Sequence, residues 1–393
     1  MRTSALVLAL LVVAPGSPRA SQAPGAQTPV APAVAAGDLV YLSGMLPVDA
    51  GGQIAGHDIR AQTARTLDNL AALLPRYGSR MGQVAAVTVY LRNQADFAAM
   101  NEVYGTYWPK DPPTRTTVIV NLVAPDALIE VSVVALHDGV ERRVVHPAGW
   151  LRPPSPYSYG IQAGDTLFLS GLLSRNGQDN TLVPGDMRTQ TSAVLRNAVA
   201  ILAAAGMTPA DVVSARVFIT DVAMFQDMNA VYREVFPASP PARATVRAGL
   251  TSAPYVVEIA MVAVKDPTRE AFTTPNADGT PGTPNPTLSS AVRAGKRLYM
   301  SGTLGATRAN QGDAAAQARE ALARIGRTLT AAGFTWTDVV DGVAYLPDLG
   351  SVPAVNAAYR DVLGDRFPAP AAVGAGLVAP DGLVEIMLTA VRR

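Results

Sequence analysis

At 393 residues the chain is long enough for two or three domains of ordinary size, and 32 Lys+Arg against 31 Asp+Glu leave a net charge of only +1. So balanced a surface offers no field to draw in nucleic acid or an anionic membrane. The absence of cysteine excludes disulfides, iron–sulfur clusters, zinc–thiolate sites, thiol nucleophiles and a lipidated N-terminal cysteine, and His57, His137 and His146 are too few and too scattered for a metal site, so neither metal nor cofactor is expected.

In chain order, Arg2 precedes an apolar run from Ala5 to Val13, which is broken by Pro15 and Gly16 and followed by small residues from Ala20 to Ala26. This is the layout of a secretory signal peptide, expected to cover residues 1–23 with cleavage somewhere between 20 and 26. The run is far shorter than the ~20 residues of a membrane span, and nothing later replaces it. The expected destination is the periplasm or the exterior.

The remainder is one unit written three times. LVYLSG (39–44), TLFLSG (166–171) and RLYMSG (297–302) recur, and Gln62, Gln190 and Gln317 keep steps of 128 and 127 residues, as do Asn101, Asn229 and Asn356, then Tyr104, Tyr232 and Tyr359, then Glu130, Glu258 and Glu385. The period is too long for a solenoid and suits a small domain plus a linker. Units are expected at 24–137, 155–265 and 285–393, joined by Pro- and Gly-rich linkers at 138–154 and 266–284. Within the second unit, LFLSG reads as a buried strand, preceded by one more. Apolar residues at helical spacing predict a helix over 188–205, with Val194, Leu195, Ala198, Ile201 and Leu202 on one face. VVSARVFI (212–219) reads as a strand, Asp221 as the cap of a helix running to Phe236, and 244–250 and 255–264 as two closing strands. The fold class is therefore α+β, with helices on one face of a mixed sheet. Such a sheet leaves its other apolar face bare, and three copies on one chain can bury these faces around a common axis.

LSG, FQDMNAVYREVFP, PPARATV and VVEIAMVAV, in this order and spacing, resemble the RidA family, also called YjgF or endoribonuclease L-PSP. The resemblance implies a chorismate-mutase-like fold, homotrimers with sites at subunit interfaces, and hydrolysis of small 2-imino acids to 2-keto acids and ammonia. A three-copy chain is then expected to be a monomeric pseudo-trimer. Carried over residue by residue, the carboxylate-binding arginine falls on Arg115 and Arg243, with Pro370 at that position in the third unit. The catalytic glutamate falls on Glu130, Glu258 and Glu385, of which Glu258 and Glu130 share a unit with an arginine. The strand-end pairs are Ser43 and Gly44, Ser170 and Gly171, Ser301 and Gly302; the aromatic contact is Tyr157, aligned with Val30 and Thr287. By this count the second unit is intact and the third degenerate.

The residue types suit that chemistry on their own account: an arginine fork matches a carboxylate, the imine carbon is already electrophilic, and a carboxylate can position or deprotonate water. Each residue also has a plainer reading. Arg243 could be a surface ion-pair residue, Glu258 a buried hydrogen-bond acceptor, Ser170 a strand-end turn residue. Asn229, a substrate-binding candidate, sits with Tyr232 on a helix where structural roles predominate, and the histidines and Trp150 read as linker or surface residues. Two functions stay open, an exported imine deaminase and a noncatalytic module that binds small carboxylates or a partner in the same pockets.

Overall fold

The computed structural model describes residues 32–364 and 370–392, apart from the side chains of Ser43 and Pro370. The expected signal segment and Val30 lie outside the described residues. Among the described residues six α-helices, in three pairs, cover the outer faces of three sheets: α1 (Ile59–Leu73) and α2 (Phe97–Tyr107), α3 (Met187–Ala204) and α4 (Phe225–Val235), α5 (Ala314–Ala331) and α6 (Val352–Leu363). The predicted helix over 188–205 is α3 within a residue at each end, and its five predicted apolar residues are all buried. Asp221 accepts from Ala223 N and so caps a 3-10 turn, Val222–Met224, that leads into α4 rather than α4 itself.

Each unit builds its sheet the same way. In the second, strand Val212–Ile219 pairs parallel with Ala242–Arg247 and antiparallel with Val257–Val264, which continues to Thr166–Leu172 and then Gly160–Ala163. The linkers are more than connectors. Arg143–Val145 pairs with Gly160–Ala163, and Glu270–Phe272 with Ala291–Ala294, so each linker supplies an edge strand to the unit that follows it and hides an otherwise open ladder. Trp150 lies in the linker, as read, but packs against the second unit's core, edge-on to Tyr159 at 5.0 Å between ring centroids.

Among the described residues three apolar cores lie between sheets and helices, one per unit, two more join all three units, and a smaller one joins the second to the third; the largest of the shared cores lies where the sheet faces meet. It brings Tyr90 and Val118 of the first unit onto Phe218 and Val246 of the second and Tyr345 and Val373 of the third, which buries the otherwise bare sheet faces around the axis. Ladders also cross between units: Gly376–Leu377 adds to the second unit's sheet, and Asn121–Leu122 of the first adds to Pro370–Gly374 of the third. The fold is a chorismate-mutase-like pseudo-trimer closed within one chain.

The repeated glutamine is a clamp. Gln62, Gln190 and Gln317 each donate to the carbonyl of a turn residue, Asp126, Pro254 and Asp381, at 2.8–2.9 Å. Each also accepts from the backbone N–H of Leu128, Val256 or Leu383, two residues before the repeated glutamate. An amide, with one donor end and one acceptor end, suits a job in which a turn must be gripped on both its C=O and its N–H.

Candidate active site

The candidate residues meet across unit boundaries rather than within units. Strand Thr114–Ile119 of the first unit carries Arg115 to the Thr166–Leu172 strand of the second, where Ser170 Oγ accepts from Arg115 N at 2.9 Å and donates to Ser158 O at 2.7 Å. Strand Ala242–Arg247 repeats this toward the third unit: Ser301 Oγ accepts from Arg243 N at 2.8 Å and donates to Ser289 O. Both serines spend their hydroxyls on stitching neighbouring units, gripping the arginines by the backbone N–H and not by the side chain.

The glycine after each serine has an equally local cause. A Cβ on Gly44, Gly171 or Gly302 would lie inside the carboxylate of Glu130, Glu258 or Glu385, so the Ser-Gly pair and the glutamate are two halves of one packing contact. Glu258 Oε1 accepts from Thr117 N of the first unit at 3.2 Å. Burial pushes its carboxyl up to about 8, against smaller opposing effects from that bond and from Arg115. Glu385 is pushed up to about 8 by burial with Arg243 opposing, and Glu130 to about 7 by burial alone. Arg115 therefore belongs with Glu258, and Arg243 with Glu385. This corrects the count by units: the third unit's glutamate is not deprived of an arginine, whereas the first unit's Glu130 faces the interface that carries Pro370.

The two arginine interfaces differ. Arg243 is 1% exposed, and its Nη2 donates to Asn229 Oδ1 at 2.7 Å and reaches Thr287 Oγ1 at 3.4 Å. Asn229 thus holds the arginine through its side-chain oxygen. At the other interface Asn101 Oδ1 and Arg115 Nη1 are buried without partners, and Arg115 gives no side-chain hydrogen bond to any described residue. Its guanidinium is boxed by three rings, with centroids of Tyr104 at 4.9 Å, Phe97 at 5.6 Å and Tyr157 at 5.9 Å, where Arg243 has two, Tyr232 at 4.6 Å and Phe225 at 5.8 Å. Where the second unit offers Tyr157, the third offers Thr287, whose hydroxyl consumes a donor that a ligand would need.

A cavity of about 100 Å3 opens beside Arg115, lined by Phe97 and Thr117 of the first unit and by Tyr157, Gly171, Leu173, Arg175, Tyr255 and Glu258 of the second. Phe97, Thr117, Arg175 and Tyr255 escaped the sequence reading. Arg175 carried a usable signal, because the corresponding positions, four residues beyond the strand-end glycine, are Val48 and Ala306 in the other units. Unit membership could not reveal the others. The side chain of Ser43 lies outside the described residues, and Gly44 packs on Glu130 as stated.

The sequence model of the endoribonuclease L-PSP family matches residues 20–137, 150–265 and 282–392. The chain belongs to this family, the RidA family, with three repeats. A RutC family protein of Sulfurisphaera tokodaii is 41% identical over 114 residues, 29% of this RidA-family chain and 91% of the relative. A protein of Acinetobacter baylyi named 3-aminoacrylate deaminase RutC is 40% identical over 108 residues, 27% of this chain and 86% of its own. A chorismatase crystal structure covers 78% of the chain and 93% of its own length at a TM-score of 0.54 and 16% identity, a likeness of fold. Among the described residues no helix is long and apolar enough to cross a membrane, and no group of three or more His, Asp or Glu side chains could hold a metal.

Proposed function

We propose that the protein is an exported hydrolase of small 2-imino acids, acting at the single interface between the first and second units. The observation that carries this reading is the guanidinium of Arg115, whose Nη1 is buried without a hydrogen-bond partner, sharing one cavity with Glu258, whose carboxyl burial pushes up to about 8. A 2-iminium carboxylate would seat its carboxylate on Arg115 as a charge-assisted pair, with Tyr157 and Tyr104 walling off water. Glu258, in its ionised form, takes a proton from a water that attacks C2. The proton then passes to nitrogen, and as the C–N bond breaks the again-ionised Glu258 takes the carbinol O–H proton, so that a 2-keto acid and ammonia form and ammonia carries the last proton away as ammonium. A group titrating near neutrality is suited to accept and return protons within a single cycle. The deaminase activity named for the Acinetobacter relative supports the same class of chemistry, and the N-terminal run of residues 5–13 supports export.

The test is release of ammonia and keto acid from freshly generated 2-iminobutanoate. Glu258→Gln is expected to lower turnover by about 100-fold or more, the usual contribution of a positioned acid–base group. The rate at low substrate should rise with pH and level off near the Glu258 value of about 8. Binding without turnover in the wild-type protein would overturn the hydrolytic reading in favour of a carboxylate-binding module.

A further inference from the structure

The cavity beside Arg115 is lined also by a second arginine, Arg175, that imine hydrolysis does not use. Arg175 stands in the loop after the Thr166–Leu172 strand, where it bridges to Leu182. Its carbonyl accepts from Asn197 Nδ2 of α3 at 2.6 Å. Its Nη1 donates to Asn180 O at 2.5 Å, and its guanidinium lies 5.6 Å from the centroid of Tyr255, another wall of the cavity. One end and one face are thereby fixed, while the side chain remains only half-buried and has donors to spare. Its charge and that of Arg115 both act on Tyr157, which places the tyrosine within reach of the two. Among the described residues Glu258 is the only acidic group lining the cavity, and burial pushes its carboxyl up to about 8, so that it is largely protonated at neutral pH.

A pocket with two arginines and one mostly neutral carboxyl is unbalanced for a substrate with one carboxylate. We propose that the ligand is a dianion, the four- or five-carbon 2-imino acid derived from a dicarboxylic amino acid, with its 1-carboxylate on Arg115 and its distal carboxylate on Arg175. The repeat supports this by comparison. The same loop bridge in the first unit joins Val48 to Ile54, so an apolar side chain is compatible with the loop and Arg175 is not needed to build it. Arg175, Tyr157 and Arg115, whose Nη1 lacks a partner, also coincide at one interface of the three. The inference rests on the imine-hydrolysing reading of this pocket and adds its substrate class.

The experiment uses matched pairs on the full chain: calorimetric titration with 2-oxoglutarate against 2-oxopentanoate and oxaloacetate against 2-oxobutanoate, alongside ammonia release from the four corresponding imines. The wild type is expected to favour at least one diacid over its matched monoacid by about tenfold or more, the worth of a charge-assisted hydrogen bond. In Arg175→Gln that ratio should fall to about one, and Arg175→Lys should restore part of it. Equal affinity for diacids and monoacids, with ammonia released from the monoacid imines, would overturn the dicarboxylate assignment and leave the hydrolase standing. Diacid preference lost in Arg175→Gln but without ammonia release from any imine would support the ligand class and overturn the hydrolysis. No binding and no turnover with any compound would overturn both.

Discussion

At the scale of the residue, the repeated glutamate explains most of what surrounds it. Its carboxyl is buried in all three units, and that forces a glycine opposite it and a proton onto it. A carboxyl whose folded pKa lies above its unfolded value binds a proton in the folded state that the unfolded chain has released. Its contribution to stability is thus complete below about pH 4.5, the unfolded value, and is lost as pH rises through the folded one. Glu130, raised to about 7 by burial with no opposing arginine, isolates the effect, on the order of 3 kcal/mol between those values. Glu130→Gln, which mimics the protonated form, is therefore expected to raise the melting temperature at pH 8 and to change it far less at pH 4.5. An equal shift at both pH values would mean the carboxyl is not held neutral by the fold.

At the scale of the element, equivalent strands deliver equivalent arginines to unequal ends. Thr114–Ile119 and Ala242–Arg247 both pass Arg115 or Arg243 to the next unit, and both are pinned there by a serine hydroxyl. Both guanidinia lie over two rings, Phe97 and Tyr104 or Phe225 and Tyr232, and what differs is the third neighbour and the hydrogen bonds: Asn229 and Thr287 hold Arg243, while Tyr157 adds a ring beside Arg115. A titration with 2-oxobutanoate is accordingly expected to give one site per chain. Arg115→Ala should weaken it by about tenfold or more, through the loss of a charge-assisted pair. Arg243→Met should leave the stoichiometry at one while lowering stability, because Asn229 loses its buried donor. Two sites, or loss of binding in Arg243→Met alone, would show that the second interface opens to ligand.

At the scale of the molecule, covalent linkage replaces association. The contacts between units are of the kind that bury interfaces permanently: a shared apolar core, ladders that cross from one unit to another, and polar ties such as Arg216 Nη2 to Thr88 Oγ1 at 2.9 Å and Arg297 to Asp165 at 2.8 Å. Among the described residues each unit's inner sheet face packs on the two others. The protein recovered outside the cytoplasm in shortened form is expected to scatter light as a single chain. A trimer of chains would show that the units fail to close internally, and a full-length cytoplasmic product would remove the export proposal.

Sequence by itself determined the repeat, the α+β unit, the family and the identity of the chemical groups, because each is written in local spacing: alternation for strands, helical periodicity for α3, and steps of 127 and 128 residues that keep Gln190, Asn229 and Glu258 in register with their copies. It also revealed that Tyr157 and Pro370 break the symmetry. Only the tertiary structure decided which arginine meets which glutamate, since the pockets form between consecutive units and Arg243 lies nearer in sequence to Glu258 than to its true partner Glu385. It likewise decided that Asn229 is a tether, that Ser170 is a stitch, and that Arg175 shares a cavity with Arg115. Those are relations between side chains distant in sequence, set by how three sheets close on one another, and no periodicity along the chain encodes them.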